Sequence, residues 1–120
     1  MNKKTLVLGA SLKANRYSNY AIQRLVANKK DVVAFGLKKG NVEGIKIDTE
    51  LLPYKDIHTV TLYLNPERQK AYYDYVVSLK PERVIFNPGT ENPEFYKILK
   101  DNTINFEVAC TLVLLTTNQY

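Results

Sequence analysis

Apolar residues in this chain come in short runs broken by polar punctuation, and strand-like and helix-like spacings alternate. Thr5-Leu6-Val7-Leu8 is too short for a helix and rich in β-formers, so it predicts a buried strand. Gly9-Ala10-Ser11 breaks that run with small residues. After a polar loop, Ala21, Ile22, Leu25 and Val26 recur on one face of a predicted helix, which Asn28-Lys29-Lys30 ends with cations at its negative pole. Residues 31–36 read as a second buried strand, and Leu37 to Gly44, with glycines, charges and no period, read as loop. Ile45-Lys46-Ile47 alternates and predicts a short edge piece.

The second half repeats the theme. Residues 57–64 predict a third strand, and Asn65-Pro66-Glu67 then starts a helix with an N-cap, a proline at N1 and an early acid. Ala71, Tyr72, Tyr75, Val76 and Leu79 form one stripe on that helix, and Pro81 ends it. Arg83 to Phe86 is a strand, and Asn92-Pro93 opens a helix carrying Phe95, Ile98 and Leu99. Ile104 to Val108 is the last strand, and Cys110 to Leu115 predicts a closing helix, although its composition also suits a strand. Strands alternating with helices imply an α/β domain: a mainly parallel five-stranded sheet covered on both faces and wound right-handed.

Composition narrows the class. The 120 residues suit one domain spanning residues 1–120, and 45% hydrophobic with 24% charged residues is ordinary for a soluble globular protein. Met1 to Leu8 imitates an export signal, but its apolar core is short and Lys13 and Arg16 follow at once. Residues 109–115 fall far below the roughly 18 apolar residues of a membrane span. The lone Cys110 excludes an internal disulfide and favours a reducing compartment, so a cytoplasmic protein is expected. The net charge of +5 is dispersed, which favours a soluble basic surface over nucleic-acid binding. No His, Cys, Asp and Glu spacing suggests a metal.

Chemistry concentrates at the predicted strand ends, where open parallel sheets bind ligands. At the first, Gly9, Ala10 and Ser11 lead through Arg16 and Tyr17 to Ser18 and Asn19 at a helix start. Free N–H groups and the positive end of the helix dipole converge there, and small side chains let a phosphate approach. Arg16 offers charge-assisted hydrogen bonds, while Ser11, Ser18 and Asn19 suit ligand oxygens or helix capping. The second strand ends in Gly36-Leu37-Lys38-Lys39, where an NAD site would place an acid. Asp31 stands at the wrong end of that strand. Cations suit a ribose bearing an extra phosphate, as in NADP and coenzyme A, and the lack of G-x-G-x-x-G weakens the nicotinamide option. Tyr63, Asn65, Asn87, Pro88, Gly89 and Thr90 complete the same rim.

These residues resemble the small free-standing CoA-binding domain family, Rossmann-like three-layer α/β/α single domains similar to the CoA-binding part of the succinyl-CoA synthetase alpha subunit. The resemblance covers nearly the whole chain. Its carriers are Leu8 to Ser11 with Arg16 to Asn19, Gly36 to Gly40, Leu62 to Pro66, Phe86 to Asn92, and Ala109 to Thr111. It implies coenzyme A or an acyl-CoA as ligand, with the pyrophosphate at the first loop and helix start. It also implies that the Lys38-Lys39 loop flanks the adenosine 3′-phosphate, and that the third and fourth strand ends line the pantetheine groove. His58 does not match the synthetase's phosphohistidine, so ligase chemistry is not implied.

No nucleophile flanked by a base is visible, which predicts a binding module rather than a self-sufficient enzyme. The alternatives are an NADP-dependent oxidoreductase, or a CoA ligase or acyltransferase subunit needing a partner chain. Cys110 reads as an inert core thiol before it reads as a partner for the CoA thiol, and His58 as structural. Tyr73, off the apolar stripe, is the candidate for a self-association surface.

Overall fold

The computed structural model describes residues 3–120, so Met1 and Asn2 of the signal-like opening lie outside it. Seven strands form one sheet: β1 (Thr5–Ala10), β2 (Val32–Gly36), β3 (Gly40–Val42), β4 (Ile45–Asp48), β5 (Thr59–Leu62), β6 (Arg83–Phe86) and β7 (Asn105–Val108). Their order is β3-β4-β2-β1-β5-β6-β7. Every pairing is parallel except β3 with β4. The order reverses between β1 and β5, which pair directly from Thr5 with Thr59 to Leu8 with Leu62. That reversal opens a crevice at the carboxyl ends of the two strands.

The side-chain period of two splits each strand between two cores. On one face Leu6, Leu8, Val60, Leu62, Val84 and Phe86 pack beneath α3 (Tyr73–Leu79) and α4 (Pro93–Asp101). On the other, Val7, Ala34, Ile47 and Ile85 pack beneath α1 (Tyr17–Ala27) and α5 (Thr111–Thr116). Both cores are dry: Leu6, Val7, Leu8, Phe86 and Phe95 are all 0% exposed. Full burial of such a side chain contributes roughly 1.5–3 kcal/mol.

Four expectations change. The sheet has seven strands rather than five, because Gly40–Val42, read as loop, pairs antiparallel with Ile45–Asp48. Three residues carry too little periodicity to register as a strand; pairing across the two-residue Glu43-Gly44 turn, both at positive φ, creates it. The Ile45 piece is therefore internal, held between β3 and β2, and not at the edge. Third, β5 is shorter than the apolar run that predicted it, covering only Thr59–Leu62.

The fourth change is a break in the helix after Asn65. It divides into α2 (Pro66–Gln69), a 3-10 turn at Lys70–Tyr72, and α3. Gln69 is the reason. Its amide is 1% exposed and donates to the carbonyls of Leu64 and Thr90, both at 2.8 Å, while its oxygen accepts from Asn92 at 2.9 Å. Satisfying that buried amide fixes the first turn, and the tighter 3-10 winding rotates the stripe. Ala71, predicted as core, is left exposed at the crevice. Tyr73 is half-buried: its ring meets Phe95 at 4.5 Å, and its hydroxyl accepts from Asn92 and donates to Glu94 at 3.0 Å.

Candidate functional site

At the carboxyl end of β1, Gly9 has φ +102°, and an added Cβ would lie 3.0 Å from the Tyr63 carbonyl carbon. The register slips here, from Leu8 opposite Phe35 to Ala10 opposite Gly36. Only glycine tolerates both the backbone sign and the approach of β5. The chain then turns through Ser11 and Lys13, where the Lys13 N–H donates to the Ser11 hydroxyl at 3.1 Å, and enters α1.

The start of α1 lacks a side-chain cap. Its N-cap is Arg16, with extended backbone, and the first turn holds no acid. The N–H groups of Asn19 and Tyr20 bond to the Arg16 carbonyl, whereas those of Tyr17 and Ser18 have no acceptor among the described residues. Uncapped donors at the positive end of an eleven-residue helix favour an anion. Asn19, read as a ligand group, is instead 4% exposed and turned inward. Its amide donates to the Ser11 carbonyl and its oxygen accepts from Gln23, so it braces the turn from behind.

A groove of about 870 Å³ runs along this rim. Gly9, Ala10, Ser11, Arg16, Tyr17 and Ser18 form one wall, and Gly36 and Lys38 close one end. Tyr63 and Asn65 lie across from them, and Pro88, Gly89 and Thr90 form the other end. Thirteen of the sixteen residues read from the sequence are thus brought together; Asn19, Lys39 and Asn87 are not.

Asn87 is 2% exposed and fully engaged. It donates to the Thr61 hydroxyl at 2.7 Å and the Leu62 carbonyl at 2.9 Å, and accepts from the Thr111 N–H at 2.9 Å. It ties β6 to β5 and caps α5, leaving nothing for a ligand. Lys39 is exposed, immediately precedes β3, and does not line the groove.

Several groove residues were missed: Leu12, Lys13, Phe35, Glu67, Arg68, Ala71 and Tyr72. Lys13 and Arg68 matter most electrostatically. With Arg16 and Lys38 they make four cations on the groove, and none of these side chains has a hydrogen bond or ion pair among the described residues. The one carboxylate there, Glu67, pairs with Lys70 at 3.5 Å. Lys13 stood in plain sight within the first loop; Arg68 follows a strong helix start off its apolar stripe, and nothing in the local pattern marked it.

The two ends of the groove differ in character. At the β1–β2 end Arg16, Lys13 and Lys38 supply cations, and α2 contributes Arg68. At the other, the Gly89 N–H donates to Glu91 at 2.8 Å, and the Thr90 hydroxyl donates to the Asn87 carbonyl at 2.7 Å. That turn is internally satisfied, and the residues it puts on the groove, Pro88, Gly89 and Thr90, are uncharged. Tyr63 lines the groove, and its buried hydroxyl sits beside the Thr61 and Thr111 hydroxyls, which bond each other at 2.8 Å, without a formed hydrogen bond of its own among the described residues. Burial pushes the Tyr63 phenol up to about 12, so it remains protonated at neutral pH.

A shallower hollow of about 400 Å³ at the opposite rim is lined by His58, Glu82, Arg83, Asn105 and Glu107. Its strongest donor is already spent: Arg83 bonds to Thr59 and to Glu107, both at 2.9 Å, and stacks on Tyr120. Among the described residues no group of His, Cys, Asp and Glu is arranged to hold a metal ion, and no helix is long and apolar enough to cross a membrane.

A parallel sheet with a cationic crevice at its switch point and an uncapped helix start beside it defines a Rossmann-like α/β domain of the nucleotide-binding type. Residues 3–116 match the family described as CoA binding domain, and the chain belongs to that family. It is similar to the crystal structure of an uncharacterized protein, with 46% identity and a TM-score of 0.97, covering 100% of this chain and 99% of that one. A hypothetical protein from Pyrococcus horikoshii OT3 is 27% identical at a TM-score of 0.82, covering 93% and 80% of the two chains. A Thermus thermophilus protein, cell-free ID.343, is 24% identical at a TM-score of 0.86, covering 99% and 91%, and shares the fold. No curated protein matches the chain.

Proposed function

We propose that this protein binds coenzyme A or an acyl-CoA in the groove at the carboxyl ends of β1, β2, β5 and β6, and that it acts as a binding module without catalysis of its own. The observation that carries this reading is the combination of four cations lining the groove, unengaged among the described residues, and uncapped helix donors at its β1 turn with the uncharged Pro88, Gly89 and Thr90 at its β6 end. Coenzyme A has the same asymmetry: a heavily phosphorylated nucleotide joined to a long neutral arm.

In this reading the pyrophosphate lies on the Gly9-Ala10-Ser11 turn against the Tyr17 and Ser18 N–H groups, with Arg16 and Lys13 around it. Lys38 stands beside the ribose 3′-phosphate. The pantetheine arm follows Tyr63, Asn65 and the Pro88-Gly89-Thr90 turn. The likeness to the CoA-binding part of the succinyl-CoA synthetase alpha subunit belongs to the same proposal.

Calorimetric titration with CoA, dephospho-CoA and NADPH tests it. CoA is expected to bind tightest, and its affinity to fall as salt rises, since exposed cations and phosphates are screened within about 8 Å at physiological ionic strength. Preferential binding of NADPH would move the assignment to an oxidoreductase. CoA-dependent activity appearing only with a copurified second chain would move it to a ligase or acyltransferase subunit.

A further inference from the structure

Lys38 lines the groove from the loop after β2, and a second cation lines it from α2. The Phe35 ring, at the end of β2, meets the Tyr72 ring edge-on at 5.5 Å, so the 3-10 turn is packed directly against the β2 end of the groove. Arg68 lies one helical turn before Tyr72 and lines the same groove as Lys38. Its backbone is fixed, because its N–H donates to the Asn65 side chain at 2.9 Å. Its guanidinium is free among the described residues, since the neighbouring Glu67 turns to Lys70 at 3.5 Å. Lys38 and Arg68 therefore reach the groove from two different elements, the loop after β2 and α2, whereas Lys39 does not line it.

We infer that Arg68, acting across the groove from Lys38, is the specificity-determining residue for a ribose-bound phosphate, which rests on the CoA reading of this groove. Arginine suits this role because its planar fork can grip two oxygens of a phosphate monoester, where a lysine offers a point charge. The break in the helix is what delivers it, because the 3-10 turn that follows holds α2 over the rim.

The test compares CoA and dephospho-CoA on the wild-type chain, Arg68→Gln and Arg68→Lys by calorimetry, with thermal melting as the check on folding. Wild type is expected to prefer CoA. Arg68→Gln should weaken CoA about tenfold, the loss of one charge-assisted contact, and dephospho-CoA less than about twofold. Arg68→Lys should keep part of the preference, and neither variant should melt earlier, because the replaced group is exposed and unbonded. Equal weakening of both ligands, or of neither, overturns the assignment while leaving the CoA reading intact. Failure of the wild type to bind CoA at all strikes the underlying reading instead, before any variant is needed.

Discussion

A methyl group on Gly36 would lie 2.3 Å from the carbonyl oxygen of Ala10, far inside contact distance. The ends of β1 and β2 therefore close on each other at the rim of the groove, and the obstacle is backbone, which cannot swing aside. Gly36→Ala is expected to lower stability by about 3 kcal/mol and to weaken ligand binding by displacing the phosphate turn. Denaturant unfolding and CoA titration measure the two effects; an unchanged midpoint would mean that the strands separate at little cost.

Asn87 separates a structural role from a ligand role. Asn87→Ala strands the Thr111 N–H and the Leu62 carbonyl, so a loss of about 2–4 kcal/mol is expected. Among molecules still folded at low temperature, CoA affinity should change little. A large affinity loss without a stability loss would return Asn87 to the binding surface.

Lys38 and Lys39 are adjacent in sequence but only Lys38 lines the groove. Lys38→Gln should weaken CoA about tenfold through one lost phosphate contact, and Lys39→Gln should leave it nearly unchanged. Equal effects would show that bulk charge, rather than a contact, governs affinity.

Tyr63→Phe removes a buried hydroxyl that makes no hydrogen bond among the described residues. Deleting such a group relieves a desolvation penalty, so the variant should match or exceed the parent in melting temperature. A lower melting temperature would reveal a bond that this hydroxyl makes in solution.

His58 gives stability a pH dependence. Burial, then the charges of Arg83 and Lys3, hold its imidazole below the ordinary 6.5. The unfolded chain therefore takes the proton first as pH falls. Stability is full above about 6.5, the unfolded value, and declines as pH drops from there toward the folded value. His58→Asn should flatten that window in pH-dependent melting; an unchanged slope would place the titrating group elsewhere.

Much of this was local and hence legible in the chain. Apolar runs such as Leu6-Val7-Leu8 and Val84-Ile85-Phe86 declare strands, and Asn65-Pro66 and Asn92-Pro93 declare helix starts whose side chains do cap, at Arg68 and Phe95. Strand ends are where parallel sheets bind ligands, so most groove residues could be named from the pattern alone.

What the sequence could not disclose depended on partners distant along the chain. Gly40–Val42 became a strand only through its pairing with β4, and Gln69 became core only because the carbonyls of Leu64 and Thr90 met its amide. Asn87 and Arg68 show the same dependence. Asn87 found three internal partners, while the Arg68 side chain has none among the described residues and lines the groove. Local sequence settles which backbone shape a segment prefers, because φ, ψ and side-chain period are local. Whether a polar side chain is consumed inside or left free for a ligand is settled only when the chain closes around it.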